Sequence, residues 1–272
     1  MGDDVAKTLA AIQAQAREQK SVSTAEAALA VSETPNVSSY TVFGVDVSHH
    51  DGAIDWVKVR KSGIAFAYIK ATEGIDFPND DATRAWFRTN WRDSSRAGVI
   101  RGAYHFYNFC RKGSDEAAKQ AANFIKSVPT AELGALPPVL DLEESKDCSD
   151  TDMPGRDAFR KDLAVFVAKI SKAYRQTPVM YVNYSIYKKY FLGAGDRYRL
   201  WFTDAVHRAP LLPGAAPWAI WQYDYRGRIP GILGRVDRDA FNGTLEMLSA
   251  MTRRLPDAPA QSPSSLLIAD LP

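Results

Sequence analysis

The sequence predicts an α/β fold, an irregular (β/α)8 TIM-like barrel with several helices missing in its second half. Three observations carry that expectation. Eight short apolar runs recur along the chain, helical stretches separate the early ones, and polar or aromatic residues end nearly every run. Strands that alternate with helices imply a parallel sheet, and eight of them in roughly 200 residues imply closure into a barrel.

The runs are, in order, Val42 to Val47, Ile64 to Ala71, Val99 to Phe109, Pro138 to Leu142, Pro178 to Val182, Leu200 to Thr203, Trp218 to Tyr223 and Ile232 to Val236. Helices are expected over Asp81 to Ala97, over Ser114 to Ser127 with Ser114 as cap, and over Arg156 to Arg175. Too little sequence separates the later runs for full helices, hence the irregular second half. An open doubly wound sheet is the competing fold, but no GxGxxG follows the first run and no Walker motif occurs.

The chain of 272 residues is 46% hydrophobic, ample for a full core. Composition divides it into an Ala- and Gln-rich helical arm and linker over 1–40, a barrel domain over 41–255, and a Pro- and Ser-punctuated tail over 256–272. With 34 basic and 32 acidic residues the net charge is +2, so no strong field points toward nucleic acid or an anionic membrane. No apolar stretch approaches the roughly 18 residues of a membrane span. The opening MGDDVAKTLAAIQAQAREQK is too charged for a secretory apolar region, so no signal peptide is expected in this chain. Neither a cofactor nor a metal is expected: His49, His50 and His105 fall near strand ends without zinc spacing. Cys110 and Cys148 each follow a predicted strand by a few residues. They are either a disulfide across adjacent loops or a pair of free thiols.

The richest segment is PPVLDLEES. Asp141 and Glu143 lie two apart at the end of a buried strand, so both side chains reach the same face. Like charges at that distance resist joint ionisation. One carboxyl keeps its proton while the other stays anionic, the division of labour that glycosidic cleavage requires. The plainer alternative is a pair of strand-end acids that cap a helix or pair with Arg or Lys. Other runs end in Asp46, in Lys70 and Glu73, in Tyr104, in Tyr181 and Asn183, in Trp201 and Asp204, in Trp221-Gln222-Tyr223, and in Asp237. Barrel enzymes place their chemistry at strand carboxyl ends. Acids and aromatics there suit a carbohydrate cleft, because rings stack on sugar faces while carboxylates and amides bind hydroxyls.

The blocks GVDVSHHDG (44–52), YIKATEG (68–74), GAYHFYNF (102–109), PPVLDLE (137–143) and WQYDYRGRIPGILGRVDRDAF (221–241) resemble, in order, the signature segments of the glycoside hydrolase family 25 lysozymes. The resemblance implies an irregular β/α barrel and an N-acetylmuramidase that cuts the β-1,4 bond between N-acetylmuramic acid and N-acetylglucosamine in peptidoglycan. It implies Glu143 as general acid and Asp141 as the anion that assists the substrate's acetamido group, with Asp46 and Asp237 as further acids of the cleft. Tyr104, Tyr181, Trp201, Trp221, Gln222 and Tyr223 are expected to touch the substrate, and the enzyme is expected to act as a monomer on glycan strands, secreted or in the periplasm. Two positions depart from the family pattern: Thr203-Asp204 after the sixth run, and Asp239 where Asn is common. The acidic loop Glu144 to Asp152 is expected to adjust the acid or simply to be solvated. The alternative function is an inactive peptidoglycan-binding relative, against which stands the retention of four converging acids.

Overall fold

A computed structural model describes residues 34–110, 115–144, 148, 152–193, 197–212 and 217–254. The expected amino-terminal helix, the cap Ser114, most of the loop after Glu144 and the tail from Pro256 lie outside the described residues. Eight strands form a closed barrel in sequence order: β1 Phe43–Val47, β2 Ile64–Glu73, β3 Ile100–Phe106, β4 Val139–Leu142, β5 Val179–Val182, β6 Leu200–Thr203, β7 Trp218–Gly227 and β8 Val236–Phe241.

Helices cover the early strands, as the spacing predicts. They are α1 Trp56–Lys61, α2 Asp81–Arg96, α3 Glu116–Ser127 and α4 Arg156–Tyr174. Carboxylates set two of their starts: Asp55 accepts from the Lys58 amide and Asp80 from the Thr83 amide. After β5 a short turn at Tyr184–Ile186 runs into a π turn at Tyr187–Phe191. Among the described residues no other helix stands between β5 and β8. Beyond the barrel comes α5, Leu245–Ala250, capped by the Thr244 side chain. The α1 turn and α5 carry too short an apolar pattern to be read from sequence.

All strand pairs are parallel except those of β8, which runs antiparallel to both β7 and β1. The predicted last run is therefore corrected. Its apolar residues Ile232 to Leu233 belong to the β7–β8 turn, where Gly231 and Gly234 take φ of 102° and end any strand. The true strand starts at Val236. Reversal of direction carries its beginning, rather than its end, to the rim where the other strands finish.

The barrel has two apolar layers. Outward residues such as Val45, Ile69, Leu140 and Met180 pack with Phe124, Phe159 and Phe166 of the helices. Inward residues Phe66, Tyr68, Val139, Val179, Trp201, Ile220 and Phe241 fill the lumen. Two large rings from β2 fit there because the flanking strands carry glycine. A Cβ on Gly44 would sit 2.4 Å from the Phe66 ring, and one on Gly102 would sit 2.2 Å from Tyr68 Cε1. On the rim, Cys110 and Cys148 are joined in a disulfide with Cα atoms 5.4 Å apart, which ties the segments after the neighbouring strands β3 and β4.

Replacing Gly102 by Ala therefore overpacks the lumen. The expected cost is about 1–3 kcal/mol, read as a lower urea midpoint with unchanged slope. An unchanged midpoint would mean that Tyr68 moves aside freely.

Candidate active site

The period of two along a strand decides which side chains meet inside the barrel. Below lie the rings of the lumen. Above them the inward positions turn polar: Asp46 on β1, Tyr104 on β3, Asp141 at the end of β4 with Glu143 just beyond it, Tyr181 on β5, Trp201 on β6, Gln222 on β7 and Asp237 on β8. These eight residues line one cavity of about 90 Å³. Asp46 and Asp237 are direct partners across the antiparallel β1–β8 pair.

Gln222 organises the floor. Its side-chain oxygen accepts from the Tyr181 hydroxyl at 2.8 Å and from Thr203 Oγ1 at 2.7 Å. Its amide nitrogen donates to Asp46 Oδ2 at 2.7 Å. Thr203 Oγ1 also lies 2.8 Å from the Tyr225 hydroxyl, which extends the network to the rim. Trp201 donates its indole N–H to Asp239 Oδ1 at 3.0 Å. Asp239 is fully buried, and its Oδ2 has no partner among the described residues. Asp141 is 7% exposed, and its Oδ1 is likewise without a hydrogen-bond partner.

Crowding raises the acids. Burial pushes Asp141 well above the usual carboxylate range and Glu143 adds repulsion, while the Lys70 ammonium opposes both. Glu143 is raised chiefly by burial, with Lys70 again opposing and Glu144 adding to the rise. Asp46 keeps some surface open to the cavity, yet burial and the neighbouring Asp239 and Asp237 raise it strongly against the pull of Gln222. Asp237 is pushed up to about 7, first by burial and then by Asp51 and Glu143. Lys70 is held in place by Glu73 at 2.7 Å and lies 4.8 Å from the Phe106 ring centroid. A site with several carboxyls of unequal proton affinity can hold one acid and one anion side by side.

Other sequence-predicted residues lie elsewhere. Trp221 and Tyr223 alternate with Gln222 and so point out of the barrel, into a cluster with Tyr40 and Trp218. Trp221 is fully buried with its N–H on the Asp204 carbonyl, and neither residue reaches the cavity. His105 alternates with Tyr104 and packs outward under α3, bonded to Thr72 and Gln120 and pushed down to about 4 by burial. Asn183 binds Glu144 at 2.6 Å and caps the following turn. Sequence reasoning missed Thr203 and Tyr225 as members of the network, and Asp239 as the buried acid behind it. Asp239 was open to discovery, since it stands two residues from Asp237 on the same face of a strand. Among the described residues, no three His, Cys, Asp or Glu side chains form a set that could hold a metal ion.

Residues 45–232 match the family model of the glycosyl hydrolases family 25. The chain is 34% identical over 227 residues to the uncharacterized protein YegX of Escherichia coli (strain K12), covering 82% of this chain and 77% of that protein. It is 32% identical over 216 residues to Lysozyme M1 of Streptomyces globisporus, covering 77% of this chain and 71% of that protein. Among solved structures, the bacterial lysozyme from Streptomyces coelicolor superposes with a TM-score of 0.69 at 32% identity, covering 77% of this chain and 96% of its own. A family 25 glycosyl hydrolase from Bacillus anthracis gives 0.69 at 30% identity, covering 78% and 94%.

The raised acids make stability depend on pH. A carboxyl with a higher proton affinity in the folded state binds more protons there, so stability falls as pH rises from its unfolded value. For Asp237 that window runs from the ordinary value of 3.8 to about 7. Asp237→Asn is expected to melt higher than the parent at pH 7 and to converge with it near pH 4, followed by calorimetry. A constant difference across that range would contradict the shift.

Proposed function

The chain belongs to the glycosyl hydrolases family 25, and on that premise we propose that it hydrolyses the β-1,4 bond between N-acetylmuramic acid and N-acetylglucosamine in peptidoglycan, with Glu143 as general acid. The supporting observation is that Asp141 and Glu143 open onto one cavity and that a buried oxygen of Asp141 lacks a hydrogen-bond partner. Burial raises both Asp141 and Glu143, so the pair retains a proton; in this reading it is carried by Glu143, which gives it to the leaving glycosidic oxygen. Lys70 acts on both acids from one side and helps one of them keep its charge. Asp141 in its anionic form accepts the N–H of the substrate's 2-acetamido group at the cavity. The acetamido oxygen is thereby oriented toward the anomeric carbon as positive charge develops there.

Asp46 and Asp237 set the charge beneath the ring, and Gln222 holds Asp46 in place. Tyr104, Tyr181 and Trp201 supply walls and hydroxyl contacts at the cavity itself. Peptidoglycan places the site of action at the cell wall, outside the cytoplasm.

Glu143→Gln is expected to clear purified cell walls about 10²–10⁴-fold more slowly than the parent while still sedimenting with them. Reducing-end analysis of parent digests should find N-acetylmuramic acid; terminal N-acetylglucosamine would overturn the bond assignment. A parent protein that sediments with walls yet clears nothing would instead identify an inactive binder. Because Lys70 lowers the proton affinity of Glu143, Lys70→Met should move the alkaline limb of the kcat/KM profile to higher pH. A limb that stays put or moves down would separate Lys70 from the acid.

A further inference from the structure

The lip of this acidic cavity carries a cluster of unpaired positive charge. β7 and β8 join through a turn at the rim where the site opens, and Gly227 faces Val236 at the base of that hairpin. The register brings Arg226, Arg228 and Arg235 to one place, each adjacent in sequence to a member of that pair. Asp237, which lines the cavity, follows Val236 directly. All three arginines are exposed. Among the described residues none of them has a carboxylate partner, whereas Arg238 pairs with Asp224 at 3.6 Å and covers the Tyr223 ring. Leu233 at the tip of the hairpin is 90% exposed.

The hairpin is held firmly. The Asp55 amide donates to the Gly231 carbonyl at 2.8 Å, and a Cβ on Gly231 would lie 2.4 Å from the Asp55 carbonyl. Ile54 bridges Ile232, and Tyr225 reaches Thr203 in the site network. The held backbone keeps the three arginines beside the cavity, and a guanidinium fork matches a carboxylate in two-point contact.

We propose that Arg226, Arg228 and Arg235 bind the carboxylates of the peptide stems carried by the glycan strand, beside the sugar that enters the cavity. The proposal rests on the muramidase reading. Within such a substrate the sugar ring to be cleaved is uncharged, while its stems carry free carboxylates that the cluster of acids would repel. A cationic lip offsets that repulsion, and Leu233 offers an apolar surface to stem methyl groups. The arginines are thus determinants of specificity rather than of bond cleavage.

The test uses soluble glycan strands freed of phosphate polymers, one portion also stripped of peptide by an amidase, with the lactyl carboxylates so freed capped as neutral methylamides. The triple variant Arg226→Gln, Arg228→Gln, Arg235→Gln is compared with the parent. On stem-bearing strands its KM should rise about tenfold with kcat unchanged, and its rate should lose the parent's sensitivity to salt. On stripped strands the two proteins should be equal. An unchanged KM on stem-bearing strands, or an equal rise on both, would overturn the proposal. Binding measured in the Glu143→Gln background reads the same cluster without turnover. There, a tenfold loss confined to stem-bearing strands supports the proposal even where cleavage by the parent fails, and equal binding sinks it. An unchanged melting temperature of the triple variant confirms that its fold is intact.

Discussion

One electrostatic constraint governs the upper barrel: Asp46, Asp141, Glu143, Asp237 and Asp239 share a small, largely buried space and cannot all be ionised. Two unit charges 4 Å apart repel by about 4 kcal/mol at an effective dielectric constant of 20. The antiparallel β1–β8 pair makes this acute by setting Asp46 opposite Asp237, where like charges destabilise a sheet. Protons are therefore retained within the cluster. A retained proton beside a residual negative charge is the resource that acid catalysis of glycoside cleavage uses.

The surrounding structure directs this crowding instead of relieving it. Gln222 illustrates how. Because Tyr181 and Thr203 both donate to its oxygen, its amide nitrogen faces Asp46, and the orientation of the amide is set by its neighbours. Beneath, Tyr68 and Phe66 occupy the room that Gly102 and Gly44 leave, so water has little access from below. Tyr104, Tyr181 and Trp201 belong to both zones, apolar on one side and lining the cavity on the other.

The first seven strands and three main helices could be read from sequence, because compact apolar runs are bounded by polar stretches and the three helices carry long amphipathic patterns. The carboxyl pair on β4 was readable for the same reason: a buried run fixes its facing. Legibility failed where facing depends on local register. At Trp221-Gln222-Tyr223 all three residues suit a sugar cleft by type, yet only the middle one points inward. His105 failed likewise beside Tyr104. At the end of the barrel the apolar residues Ile232 and Leu233 imitated a strand, and the positive φ of the flanking glycines marks them as a turn. The hydrogen bond between Tyr225 and Thr203 joins residues 22 positions apart, and no local pattern announces it.

The reversed last strand bears on how activity first emerges during synthesis. It unites the beginning of the barrel with its end, because Asp46 meets a residue almost two hundred positions downstream. Until that final ribbon slots into the seam, a nascent chain has an open sheet and a pocket that lacks Asp237 beside Asp46. The cavity is thus complete only once the last strand is in place.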